Sequence, residues 1–231
     1  MVLLTNNMPS IIDKMRALSS ELYLKIATNN REIECDELRK YPWTNRIFRN
    51  DRFRRGHLEI LDVRETKKMW IMHICIFPHL DDSSPIFGFD VICGENKITG
   101  VFLDFSMADD NHPMNKWFAE KTKNLVWKKD RELPDWGKRI FSDNMIAAGM
   151  VNTDEELEQV INVAKECLDY YLQNVGNTIS NINHAAGHNH YCINQKNNVH
   201  TSRFLINCGY KEEDVRNFID KHLFPEIDFG W

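Results

Sequence analysis

Apolar positions along this chain follow two different periods. From Ser10 to Ala27, "SIIDKMRALSSELYLKIA", they recur every three or four residues behind Pro9, the spacing of a helix with one buried face. Between residues 56 and 106 the period shortens. Four runs rich in β-branched and aromatic residues appear there: "GHLEILDV" (56–63), "MWIMHICIF" (69–77), "IFGFDVIC" (86–93) and "ITGVFLDFS" (98–106). Short connections between them predict an antiparallel meander. Helical spacing returns in "MNKWFAEKTKNL" (114–125), and a fifth strand is expected within "RIFSDNMIAAGM" (139–150). Thr153 and Glu156 then form a capping-box pattern ahead of "LEQVINVAKECLDYYL". Two further helices, about 179–208 and 212–223, close the chain. Residues 29–55 show neither period and read as irregular.

Strands in one block with helices on both sides give an α+β class. Without repeats or a Pro/Gly-rich linker, residues 1–231 are expected to form one domain. The longest apolar run, Met69–Phe77, is about half a membrane span and contains His73. The opening "MVLLTNN" has no basic residue and too short an apolar run for a secretory signal. These features point to a cytoplasmic protein that does not insert in membranes. Six cysteines lack zinc-type spacing and mostly fall in strand or helix patterns, so they read as reduced core residues.

The strands hold polar residues where a core would be apolar. Alternation puts His57, Glu59, Leu61 and Val63 on one face of the first run. Met69, Ile71, His73 and Cys75 share a face of the second, and Ile86, Gly88, Asp90 and Ile92 one face of the third. A lone carboxylate such as Asp90 in so apolar a run costs several kcal/mol unless it is paired or neutralised. Three adjacent strands each offering a titratable group are compatible with one proton-transfer site or with separately satisfied core residues. Pairing register, which sequence does not reveal, decides between them.

Dinucleotide, phosphate-loop and nucleophile-elbow motifs are all missing. In "HAAGHNH", His184 and His188 stand four apart, but His190 falls off that face, which argues against a metal centre. Charge is uneven on a chain of net charge −5. Residues 39–68 carry ten Lys/Arg against four acids, leaving that stretch at +6 and the remainder at −11. That stretch is either a solvated face or a docking patch for an acidic partner, protein or nucleic acid. No interleaved aromatic and basic motif supports nucleic acid.

Six stretches, "FRRGHLEI", "HICIFP", "PIFGFDVICG", "RELPDWGKRIFSD", "HNHYCINQKNN" and "LFPEI", resemble the ferredoxin-dependent bilin reductases in order and spacing, from about residue 46 to 228. The resemblance implies a three-layer α/β/α sandwich around a central antiparallel sheet, acting as a monomer. Biliverdin is then the substrate, bound between the sheet and the C-terminal helices. The protein would hold no metal or flavin and would receive single electrons from reduced [2Fe–2S] ferredoxin, docked on the basic surface around 39–68. The family's proton-donating aspartate falls on Asp90, its histidine on His73 and its glutamate on Glu59. His57 matches a substrate-binding histidine and Arg131 the arginine that pairs with a propionate. Asn198 and His200 fall where the second propionate is held, with His200 replacing a lysine. The retained Glu59 and His73 favour phycocyanobilin as product, while the altered propionate site leaves phycoerythrobilin open. The alternative is a non-catalytic bilin- or haem-binding protein.

Overall fold

The computed structural model describes residues 9–28 and 30–228, so the opening "MVLLTNN" lies outside the described residues. Its centre is a seven-stranded antiparallel sheet whose strands lie in chain order. They are β1 (Arg31–Ile33), β2 (Thr44–Arg49), β3 (Phe53–Val63), β4 (Met69–Pro78), β5 (Ile86–Cys93), β6 (Ile98–Ser106) and β7 (Ile146–Ala148). The four expected strand runs became β3 to β6.

Helices cover both faces. On one lie α1 (Ile11–Ala27), α3 (Pro113–Thr122) and α4 (Asp154–Asn174), following the four-residue α2 (Arg64–Lys67) in the β3–β4 hairpin. Helix α1 starts at a capping box of Ser10 and Asp13 and buries Ile12, Met15, Leu18, Leu22 and Ile26 on one stripe. That stripe and the matching one on α4 (Leu157, Val160, Ala164, Leu168) close the larger core over Phe48, Met72, Ile74, Phe89 and Val91. On the other face lie α5 (Ala185–Gln195), α6 (Val199–Asn207) and α7 (Glu212–Phe218). Their core joins Cys75, Phe77 and Ile86 to Tyr191, Leu205 and Phe218. Strand β4 is almost continuously apolar because helices cover both of its faces.

Four expectations need correction. The stretch read as irregular contains β1 and β2; these peripheral strands carry exposed Arg31, Arg46 and Arg49, so no apolar alternation marks them. The fifth strand shrinks to three residues, because Pro134 and Gly137 turn the preceding chain into a loop. The helix expected over 179–208 is two helices broken at 196–198, where Asn198 caps α6 by accepting from His200 N (3.0 Å). The capping box at α4 is half made. Thr153 accepts from Glu156 N, while Glu156 accepts from Lys128 N instead of turning back.

The passage from α4 to α5 carries the chain from one helical layer to the other. Buried Asp82 fastens it, accepting from Ser84 N, Thr178 Oγ1 and Gly176 N. This anchor fixes where the second layer begins.

Candidate functional site

Register brings the candidate residues together. Asn45, Glu59, His73, Asp90, Phe102 and Ala147 stand directly opposite one another on six successive strands. Such residues share a face, with neighbouring Cβ atoms about 5 Å apart. Two residues along each strand a second row reads Ile47, His57, Cys75, Gly88 and Asp104. Both rows face the layer built by α5, α6 and α7. Phe224 packs edge-on to His73 with centroids 5.9 Å apart, and Phe218 to His57 at 6.4 Å.

His73 Nδ1 lies 2.6 Å from Asp90 Oδ1. The His73 side chain is 8% exposed and that of Asp90 37%, so Asp90 is not the fully buried carboxylate its strand implied. On the neighbouring row Gly88 has no side chain, and a Cβ there would stand 3.5 Å from Tyr191 Oη. Burial is the largest single influence on His73 and opposes its charge. Asp90's charge and hydrogen bond, with help from Glu59, outweigh burial and hold His73 above its ordinary 6.5. The contact thus favours a proton on the ring.

Glu59 accepts from the Trp43 indole N–H at 2.7 Å. Burial pushes its carboxyl up to about 7, against the pull of His73 and the Trp43 hydrogen bond. His57 has a definite tautomer. Asn45 gives its amide N–H to Trp43 O (3.2 Å) and so turns Oδ1 toward His57 Nε2 (3.0 Å). His57 must donate from Nε2, which leaves Nδ1 as a bare acceptor. Burial, reinforced by the charges of Arg55 and His73, keeps this ring neutral. His57 Nδ1 and His73 Nε2 are both buried with no partner among the described residues. A group entering between the sheet and the C-terminal layer would thus meet an empty acceptor, the His73 ring and two carboxyls.

Arg131 stands at the β6 end of the same row. Its backbone N–H donates to Ala147 O (2.8 Å), Nη2 donates to Thr99 O (2.6 Å), and the exposed guanidinium lies 5.7 Å from the Phe102 ring. A Cβ on Gly149 would come within 2.9 Å of Arg131 Nε, so the glycine leaves room for this arrangement. His200 is exposed on α6 beside Asn198, whose side chain serves as the helix cap; no described hydrogen bond links either to the strand rows.

The basic stretch is not one patch. Arg52 donates to Val175 O and Gln173 O, bracing the end of α4. Arg54 contacts His188 and Arg55 donates to His222 O, both under the C-terminal layer. Arg39, Arg46 and Arg64 pair with Glu34, Glu32 and Asp62. Lys40 reaches Asp214 (3.9 Å). Exposed Arg49 and the pair Lys67 and Lys68 remain, at opposite ends of β3 and roughly 30 Å apart. The histidines of "HAAGHNH" also separate: His184 contacts Ser180, His188 accepts from Arg54, and His190 is exposed. No cluster of metal-ligating side chains occurs among the described residues.

Trp43, Asn45 and Asp104 belong to the site face but were not singled out from sequence. Trp43 and Asn45 sit in the stretch without a period. Asp104 shares a strand face with Phe102, a signal that alternation offered. It accepts from Ser106 Oγ, Ser142 Oγ and Ser142 N, tying the 131–145 loop to β6, and burial raises it to about 6. A cavity of about 650 Å³ reaches Trp43, Leu61, Trp70 and Tyr210 from the α1 side. Glu59, His73 and Asp90 do not line it, so its only link to the site is through Trp43.

Comparison with known proteins gives one consistent result. The family model described as ferredoxin-dependent bilin reductase matches residues 12–225. Phycocyanobilin:ferredoxin oxidoreductase of Synechococcus sp. (strain CC9902) is 30% identical over 187 residues, covering 78% of this chain and 74% of that protein. Its counterpart in Synechococcus sp. (strain CC9605) is 27% identical over 200 residues, with 79% and 77% covered. The solved structure of PcyX superposes with a TM-score of 0.69 at 27% identity, covering 93% of this chain and 99% of that one. Phytochromobilin synthase from tomato, solved in complex with biliverdin, shares the fold with a TM-score of 0.63 at 16% identity, covering 90% and 82%.

The Trp43–Glu59 bond has a measurable consequence. The indole N–H favours ionised Glu59, so Trp43→Phe should move the Glu59 midpoint above about 7. Stability follows the same sign. A carboxyl raised in the folded state contributes stability fully present below its ordinary 4.5 and lost as pH climbs through about 7, and in the variant that loss should extend to higher pH. Infrared titration of the Glu59 carboxyl stretch, identified by its loss in Glu59→Gln, checks this. An unmoved midpoint would show that the bond does not tune Glu59.

Proposed function

The chain belongs to the ferredoxin-dependent bilin reductases, and from that premise we propose that it reduces biliverdin to a phycobilin with single electrons from reduced [2Fe–2S] ferredoxin, protonating the pigment from the Asp90–His73 pair. The observation that carries this reading is the row Glu59, His73 and Asp90, with a 2.6 Å proton-sharing contact at its centre. The tomato relative, solved with biliverdin, supports the choice of substrate.

The chemistry asks for protons at a dry surface. Each electron added to an extended pigment raises the basicity of its carbons and nitrogens, and a proton must follow. Asp90, more exposed than His73, touches the pigment and passes on the proton held by His73. Glu59, near 7, gives or accepts a proton at neutral pH at little cost. His57 Nδ1, an empty acceptor in a neutral ring, receives an N–H of the pigment and orients it. Arg131 holds one propionate, where a guanidinium offers a bidentate pair. Asn198 and His200 face the second. Glu59 and His73 favour phycocyanobilin as product.

Ferredoxin docks at the β3–β4 hairpin, where Lys67 and Lys68 are exposed. That end of β4 lies four residues from His73, about 13 Å along the strand. Arg49 is at the far end.

Two experiments test the reading. Asp90→Asn keeps the side-chain shape, so it should fold and bind biliverdin. With anaerobic reduced ferredoxin it should stall at a one-electron pigment radical seen by electron paramagnetic resonance, with turnover down at least roughly 100-fold. Wild-type turnover in this variant would remove Asp90 from the mechanism, and a bound pigment that never changes in the wild type would make the protein a binder. For docking, the double change Lys67→Glu and Lys68→Glu should slow turnover at low salt several-fold and flatten its salt dependence, with Arg49→Glu close to wild type. Equal losses in both would move the docking surface elsewhere.

A further inference from the structure

Arg54 and Arg55 carry half-buried charge that the proposed chemistry does not use. The pairing of β3 with β4 shifts between Phe53 and Arg55, making Arg54 the extra residue of a β-bulge. The bulge turns both arginines toward the C-terminal layer. Arg54 lies 4.6 Å over the Phe77 ring and Arg55 donates to His222 O. No described ion pair includes either residue, and each keeps a buried N–H group with no partner, Nη2 in Arg54 and Nε in Arg55. Buried charges in folded proteins are ordinarily paired, because an uncompensated one loses its hydration for nothing.

Arg54 differs from Arg55 in facing open space. It lines a groove of about 460 Å³ together with His79, Asp81, Ser180, Asn181 and Asn183. The far wall is held in place by backbone bonds from Ser180 N to Asp81 O and from His184 N to Leu80 O, both 2.7 Å. His188, which accepts the Arg54 Nε–H at 3.3 Å, is kept neutral by burial and by Arg54 itself, so it supplies no counter-charge. The one acid lining the groove, Asp81, is exposed and lies beyond ion-pair distance of Arg54.

We propose that this groove is a binding site for a small oxyanion of the phosphate or carboxylate class, held by the Arg54 guanidinium and the polar side chains of Ser180, Asn181 and Asn183. The anion supplies the counter-charge that no described residue gives Arg54. The groove lies at the Pro78 end of the strands and Arg131 at the opposite end, beside Thr99, so the site is separate from the propionate position assigned above.

The test uses the purified protein and inorganic phosphate, with sodium chloride at matched ionic strength as reference. Wild type should gain roughly 2–5 °C in Tm at saturating phosphate beyond chloride. Arg54→Met, which keeps an apolar stem over Phe77, should lose that gain whatever its own starting Tm. Asp81→Asn removes a like charge from an exposed position and should tighten phosphate roughly two- to fivefold. Biliverdin distinguishes the sources of the anion: its addition should leave the phosphate Kd unchanged. No gain beyond chloride, an equal gain in Arg54→Met, or no tightening in Asp81→Asn would overturn the site. Displacement of phosphate by biliverdin would make a pigment propionate the anion and overturn the separate site.

Discussion

The contact between His73 and Asp90 exists only because β4 and β5 pair in one register. The two residues are 17 apart in sequence and directly opposite in the sheet. A slip of one position would send each strand's polar residues to the other face. What prevents the slip lies on the far side of the sheet. Met72, Ile74 and Ile76 of β4 and Phe87, Phe89 and Val91 of β5 are all fully buried under α1 and α4. The larger core therefore dictates where the polar row stands, from the opposite side of the sheet.

The second layer contributes in a different way. Phe218 and Phe224 remove water from the histidine rings without offering them hydrogen bonds. Burial raises Glu59, suppresses the charge on His57, and leaves two ring nitrogens unpartnered, at a cost of roughly 1–3 kcal/mol each. Three other buried polar groups are fully engaged. Asp82 and Asp104 each accept several hydrogen bonds, and Tyr171 Oη bridges Ile76 O and Pro85 O. Those satisfied groups fix the layers in place, while His57 Nδ1 and His73 Nε2 are left without partners on the strand rows.

Much of this was legible in the chain. Four central strands and the long helices announce themselves through periodicity, because each has one or two faces committed to a core. Alternation also placed Glu59, His73 and Asp90 on faces that turned out to be one face. Their convergence was not legible, since register depends on partners distant in sequence. Strands β1 and β2 escaped because peripheral strands need little apolar surface, and Trp43 and Asn45 were lost with them. The basic stretch misled for a related reason. Local charge counts do not reveal that Arg52, Arg54 and Arg55 are spent on internal partners, or that the remaining cations lie at opposite ends of a long strand.

The account stands on a proton held at neutral pH between His73 and Asp90 in the resting protein. Nitrogen-15 NMR of the His73 ring, followed through a pH titration without pigment, measures it directly. The account requires a protonated Nδ1 throughout the neutral range and a ring midpoint above ~6.5, the free histidine value. A midpoint below that value, with Nδ1 bare at neutral pH, would contradict it.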